Sequence, residues 1–282
     1  MKIIEGIEQG SKPWHDLRAD HIGASDVATI LMLDPFKGVN GAFGLWLEKT
    51  GQKAPWKGNE ATAHGHDNEN EARLAYAAEV GDAVVPMVAV CDTPGFEFLM
   101  CSLDGWREES RVCAEIKCPI EAGTFREAKE GTIPEHYQAQ IQTQLFVTGA
   151  ARADYYCWFR GEGVLIPVEF DKSWWDITIA PEVQEFWRRV QAKDWPKPVG
   201  ELQATTDEFN VWAAKMAAIL QNEREIAARK QDHIRQGTRQ FFANYAKISG
   251  GGIEVQRVYK RGGAPVSYTT SPQLSTTIRR VE

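Results

Sequence analysis

Glu115 and Lys117 stand two residues apart in the stretch CAEIKC, Cys113 to Cys118, which otherwise has the small and apolar character of a buried strand. Charged side chains are seldom fully buried without a partner. Residues two apart on a strand share a face. Glu115 and Lys117 therefore point the same way, with Cys113 beside them, while Ala114, Ile116 and Cys118 are expected to face the core. Asp104 is expected at the end of the preceding strand, across a hairpin closed by the polar REES. Two carboxylates are hard oxygen ligands, suited to Mg²⁺ or Mn²⁺ that keeps several waters. A neighbouring lysine can orient water and stabilise charge on a phosphoryl oxygen. A metal there would polarise the phosphate and lower the pKa of its bound water. That is equipment for hydrolysing a phosphodiester. The plainer alternative is a cross-strand ion pair on a solvated face, and for so short a pattern in isolation it is the better reading.

The elements that must position these residues follow from periodicity. A helix is expected over HIGASDVATILML, with Ser25 as its cap and Val27, Ile30 and Leu31 at helical spacing. FGLWLEKTG reads as a second helix closed by Gly51, and Glu60 to Val80 as a third ending at Gly81. AVVPMVAV, FEFLMCSLDGW and RVCAEIKCP read as strands. Pro134 opens a helix through EHYQAQIQTQLFVTG, stopped by Gly149. ADYYCWFR and GVLIPVEF are two more strands, followed by a helix around APEVQEFWRRVQ. The proline-rich KDWPKPVGE is the boundary candidate and divides the chain into residues 1–198 and 199–282. Beyond it, a capping box at Thr205 and Glu208 opens a helical arm or helix pair in which Phe209, Trp212, Met216, Ile219 and Ile226 recur at three-to-four spacing. GGGIEVQRVYKRGGAPVSYTT reads as a small hairpin. Helices mixed with hairpins make the main domain α/β with a mixed sheet.

Composition narrows the classes. A chain of 282 residues with 43% hydrophobic content and ten tryptophans can bury a substantial core, which excludes a disordered chain. There is no basic start followed by an apolar run and no stretch of membrane-spanning length, so a soluble intracellular protein is expected. The five cysteines are odd in number and lack C-x-x-C spacing, which disfavours a disulfide framework or a zinc ribbon, and they are read as core. Net charge is −7. It is unevenly spread, with 20 basic against 31 acidic residues over 1–200 and 12 against 8 over 201–282. The basic end can grip DNA, contact a partner or a second copy, or simply be a solvated helix.

Order and context separate the two readings of the Glu–Lys pair. Asp104 followed by Glu115-Ile116-Lys117 on a hairpin resembles the PD-(D/E)XK nuclease signature. More narrowly, four segments in order resemble the phage recombination exonucleases of the λ-exonuclease and YqaJ-like type. They are EQGSKPWHDLRADHIGASD, GHDNENEAR, SLDGW with AEIKCP, and HYQAQIQTQLFVTG, together covering residues 8–149. Two departures, Leu103 and Asn70 where relatives often carry proline, touch no expected ligand.

The resemblance implies a restriction-endonuclease-like core, a central mixed β-sheet flanked by helices, with a C-terminal helical arm and small hairpin appended. It implies that Asp104, Glu115 and the Ile116 carbonyl bind Mg²⁺, for which Mn²⁺ can substitute, that Glu69 completes the acidic cluster, and that Lys117 is the catalytic lysine. Gln140 would position water or phosphate, supported by Tyr137. Arg18 and Ser25 would hold a DNA 5′-phosphate, a pairing that also suits a phosphate physically. Lys37 is a third basic candidate by rough position. The implied activity is 5′→3′ digestion of linear double-stranded DNA ends, leaving 3′ single strands for a single-strand annealing protein. The implied assembly is a homo-oligomeric ring, a trimer, in the bacterial host cytoplasm and phage encoded. Two rivals stand beside it, an endonuclease of restriction or junction-resolving type and a DNA-binding module with a dead site. His64 and His66, two apart on a helix, diverge and are read as surface or pocket rim. Trp14, Trp46, Trp158, Trp174 and Trp175 are read as core.

Overall fold

A computed structural model of the protein describes residues 1–37, 40–54, 58–195, 207–241, 247–250, 253–260 and 273–280. The chain divides into two compact units, Met1–Lys197 and Pro198–Glu282. The first begins with β1 (Lys2–Ile3), α1 (Lys12–Ala19), β2 (Ile22–Gly23), α2 (Ala24–Ile30), α3 (Gly41–Lys49) and α4 (Glu60–Val80). It continues with β3 (Val85–Val90), β4 (Leu99–Arg107), β5 (Val112–Lys117), α5 (Ala122–Lys129) and α6 (Glu135–Thr148). It closes with β6 (Arg152–Phe159), β7 (Glu162–Val168), α7 (Lys172–Trp174), a π-helical turn (Trp175–Ile179) and α8 (Ala180–Ala192).

The strands form one sheet in the order β1-β3-β4-β5-β6-β7, with short β2 beside β4. The β5–β6 and β2–β4 pairings are parallel and the rest antiparallel, so the sheet is mixed, as expected. Local chemistry sets the two helices that flank the site. The Asn59 side chain accepts from the Thr62 N–H to start α4, and Gly81 at φ 65° ends it. Pro134 precedes the first turn of α6, and Gly149 at φ 60° stops it.

Two expectations need correction. The β5 strand is buried on both faces: Cys113 joins the large cluster with Ala139, Ile141 and Leu145 of α6, while Ala114 and Ile116 pack with Ala72 and Tyr76 of α4. The Glu–Lys face is therefore an interior face under a helix, and the polar residues of α6 look inward. Ser25 does not cap α2. Gly23 holds the cap position, the Asp26 carboxylate accepts its N–H, and Ser25 stays exposed on the first turn. Trp46 and Trp175 are core, whereas Trp14 is half-buried.

In the second unit, α9 (Asp207–Phe241) is one continuous helix. Strands β8 (Lys247–Gly250), β9 (Ile253–Lys260) and β10 (Gln273–Arg280) form an antiparallel sheet in the order β10-β9-β8, one strand more than the expected hairpin. Thr205 and the linker after residue 195 lie outside the described residues, as does the Glu208 side chain. Among the described residues no helix is long and apolar enough to cross a membrane.

Candidate active site

Asp104 lies inside β4, three residues before its end, where β4 carries one residue more than β3 between the pairs Met87↔Leu103 and Val85↔Trp106. Such bulges re-aim side chains beside active sites. Gly105 is required there, because a Cβ would lie 2.5 Å from Cγ1 of Val84. The β4–β5 ladder runs from Arg107↔Val112 to Gly105↔Ala114 and goes no further. The next inward-pointing N–H of β5, that of Ile116, is accepted by Asp104 Oδ2 at 2.8 Å. A carboxylate has taken the place of a backbone carbonyl at the point where regular pairing stops.

Glu115, 1% exposed, is held by three donors. Lys117 Nζ lies 2.5 Å from Oε1, Gln140 Nε2 donates to Oε1 at 2.8 Å, and Gln144 Nε2 donates to Oε2 at 2.5 Å. Lys117 Nζ also sits 4.8 Å from the centre of the Tyr137 ring, within cation–π range. Glu69 arrives from α4. Arg73 binds its Oε1 at 2.6 Å and donates from Nε to the Asp104 backbone carbonyl at 2.7 Å, which ties the helix to the strand. His66 Nδ1 is 3.8 Å from Glu69 Oε2, while His64 turns to Asn68. The structure thus brings Glu69, Asp104, Glu115, Lys117, Tyr137 and Gln140 together.

Electrostatics follows from this packing. Burial pushes the Asp104 carboxyl well above the ordinary range, and Glu115 and Glu69 push it further, against Lys117. Burial pulls Lys117 down, but Glu115 and Asp104 outweigh it, so its pKa is raised and the ammonium form is favoured. Burial, then the Glu115 charge, pushes the Cys113 thiol up to about 12; burial and Asp104 do the same for Cys118, also to about 12. Neither thiol is prone to bind metal as a thiolate.

The donor set fits a hard divalent cation. Asp104 is buried with no ion pair within 4.0 Å among the described residues, and two further carboxylates raise its pKa. Among the described residues no trio of His, Cys, Asp and Glu side chains converges tightly enough to hold an ion by itself. Asp104 and Glu115 could supply two carboxylate ligands, leaving a backbone carbonyl and water to complete the shell.

A second polar cluster sits where α1 meets α2. The Arg18 guanidinium lies 5.2 Å from the centre of the Trp14 ring on one side, and on the other packs against Gly23, where a Cβ would be 2.6 Å from Nη1. Its Nη2 donates to Ser25 Oγ at 3.1 Å and to Asp26 Oδ1. Asp26 Oδ2 lies 3.1 Å from Lys49 Nζ, which also donates to the carbonyls of Arg18 and His21. Burial would raise the Asp26 carboxyl, but Arg18 and Lys49 overcome it and hold it far below the usual range. Trp14 Nε1 donates to Ser102 Oγ at 2.7 Å, two residues before Asp104, so this cluster abuts the acidic one. Lys37, by contrast, is exposed and paired loosely with Asp34 at 3.9 Å.

Sequence reasoning missed Asp26, Lys49 and Ser102, and placed Gln144 on one helical face with Tyr137 and Gln140 without giving it a role. Gln144 had a signal, since it stands one helical turn after Gln140. Asp26 and Lys49 belong to no motif of their own, and each gains its role only through tertiary contact.

A bulged mixed sheet between helices, with buried carboxylates and a lysine where strand pairing stops, is the arrangement of a restriction-endonuclease-like fold. Residues 13–151 match the YqaJ-like viral recombinase domain. The fold is similar to that of an alkaline exonuclease, LHK-Exo, from Laribacter hongkongensis, with a TM-score of 0.56 and 24% identity, covering 65% of this chain and 94% of that one. A second structure of LHK-Exo, in complex with dAMP, matches with the same TM-score and coverage at 23% identity. An uncharacterized protein of Acanthamoeba polyphaga mimivirus is 26% identical over 171 residues, 55% of this chain. The match spans 30% of that viral protein.

Proposed function

We propose that the protein is a Mg²⁺-dependent 5′→3′ exonuclease acting on linear double-stranded DNA ends, hydrolysing phosphodiester bonds to leave 3′ single strands for recombination by strand annealing. One observation carries the reading: Asp104, a buried carboxylate without a paired cation among the described residues, sits beside Glu115, Lys117 and Glu69 at the point where β4 and β5 cease to pair. Asp104 and Glu115, with the Ile116 carbonyl and the nearby Glu69, would hold the metal. A bound Mg²⁺ would supply positive charge to the phosphoryl oxygens and acidify a water.

The chain's own residues do the rest. Glu115 and Asp104 favour the ammonium form of Lys117, which suits it to orient the attacking water and to stabilise charge on the phosphoryl group. Gln140 and Gln144 hold the Glu115 carboxylate in one orientation. Tyr137 confines the lysine from the α6 side. Arg18 and Ser25 would receive the terminal 5′-phosphate, which registers the chain end against the acidic cluster. A ring of three copies around DNA, working in the bacterial cytoplasm with a single-strand annealing protein, and phage encoded, completes the proposal. Its support is the family resemblance; a ring that encircles its substrate would also need less general attraction for DNA than a single copy, which answers the net charge of −7.

Digestion of a linear duplex and a covalently closed circle, each with Mg²⁺ or with EDTA, tests this. Only the linear duplex with Mg²⁺ should be degraded. Cleavage of the circle would favour the endonuclease reading, and binding without cleavage at any Mg²⁺ concentration would favour a dead site.

A further inference from the structure

Arg18 is expected to meet an anion, yet a carboxylate already occupies part of it. Both hydrogens of its Nη2 are engaged, by Ser25 and by Asp26. Among the described residues its Nε and Nη1 have no partner, so these are the donors left for a ligand. They are aimed by a seat with three sides: the Trp14 ring, the Gly23 backbone and the Asp26 carboxylate. Paired with Asp26 alone, Arg18 would be neutralised. Lys49, whose side chain is only 6% exposed, is the second cation on that carboxylate and leaves the trio with a net charge of +1. Its ammonium is enclosed by Asp26 and two backbone carbonyls, so it acts through Asp26 without touching the ligand.

We propose that Gly23, Asp26 and Lys49 are the positioning residues of the phosphate pocket: Gly23 and Asp26 fix the plane and open edge of the Arg18 guanidinium, and Lys49 keeps the pocket positive. This rests on the reading of Arg18 as a ligand of the 5′-phosphate. It assigns the second positive charge of the pocket to a buried residue of α3 and not to the exposed Lys37.

Gly23→Ala is the most discriminating variant. At φ −74° alanine is allowed, and the three atoms nearest the added methyl all belong to the far end of the flexible Arg18 side chain, so the fold is kept while Arg18 is displaced. Binding of a short duplex with 5′-phosphate or 5′-hydroxyl ends is measured by fluorescence anisotropy in EDTA, which removes cleavage from the readout. The parent should prefer the phosphate by about tenfold, the scale of a charge-assisted hydrogen bond. Gly23→Ala and Lys49→Met should each lose most of that preference, and Lys49→Arg should restore part of it. In an Arg18→Ala background, Gly23→Ala should cause no further loss, because the two changes act through one group. A parent that shows no preference overturns the phosphate reading of Arg18 and this inference with it. A parent that discriminates, with a folded Gly23→Ala that discriminates equally well, overturns this inference alone; so does additivity with Arg18→Ala.

Discussion

Two buried aspartates lie in adjoining clusters and are shifted in opposite directions. Asp26 and Asp104 are 3% and 8% exposed, so burial alone would raise both. Asp26 has Arg18 and Lys49 on its two oxygens, and its pKa is driven down. Asp104 has Glu115 and Glu69 for neighbours and one backbone N–H, and its pKa is driven up. The company of a carboxylate thus decides its use. The α1–α2 cluster carries surplus positive charge and suits an anion, while the β4–β5 cluster sets three carboxylates against Lys117 and Arg73, carries surplus negative charge and suits a cation. Under the proposed function, a phosphorylated DNA end would offer a ligand to the first and a bond to break beside the second.

The largest expected effect is at Lys117. Lys117→Ala should slow single-turnover digestion of a linear duplex by roughly 100- to 1,000-fold, the usual loss on removing one preorganised stabilising group, with DNA binding retained. Cleavage at the parent rate would detach the lysine from the reaction.

The aspartates should next separate by the sign of their effect on stability. Asp26→Asn removes the counter-charge of the buried Lys49 and the half-buried Arg18 and should cost about 3 kcal/mol in denaturant unfolding at pH 7. Asp104→Asn keeps an acceptor for the Ile116 N–H and removes a crowded charge, so without metal it should raise Tm while abolishing cleavage. Asp26 has a depressed folded pKa. Its contribution is therefore fully present above the unfolded value of about 3.9 and is lost as pH falls toward the folded value. Parent and Asp26→Asn stabilities should converge as acid is added. A destabilised Asp104→Asn in EDTA would break the contrast.

A smaller effect is expected at Gln144. Replacement by leucine leaves Glu115 Oε2 without its buried donor and should cost roughly 1–3 kcal/mol. The smallest is at Lys37, where an exposed pair at 3.9 Å predicts a change of about 0.5 kcal/mol or less on Lys37→Ala, with end preference retained.

Much of this arrangement was legible in the residues themselves. Strand alternation placed Glu115 with Lys117, and Pro134 and Gly149 bounded the helix that carries Gln140. What stayed hidden depended on which face was covered. Alternation alone could not say that a helix lies over the Glu–Lys face, so Gln144, which shares a helical face with Tyr137 and Gln140, was left without a role. Nor could spacing show that Lys49 lies beneath Arg18, because the two meet only when α3 packs against the α1–α2 turn. The bulge at Asp104 was equally invisible, since it is defined by the register of β4 against β3.

The most direct test of the central claim follows release of label from a 5′-phosphorylated linear duplex, labelled at either the 5′ or the 3′ end, in Mg²⁺. The 5′ label should be released first, and release should stop in EDTA and slow by roughly 100- to 1,000-fold in Lys117→Ala. Release of the 3′ label first, or release that continues in EDTA, would contradict the claim.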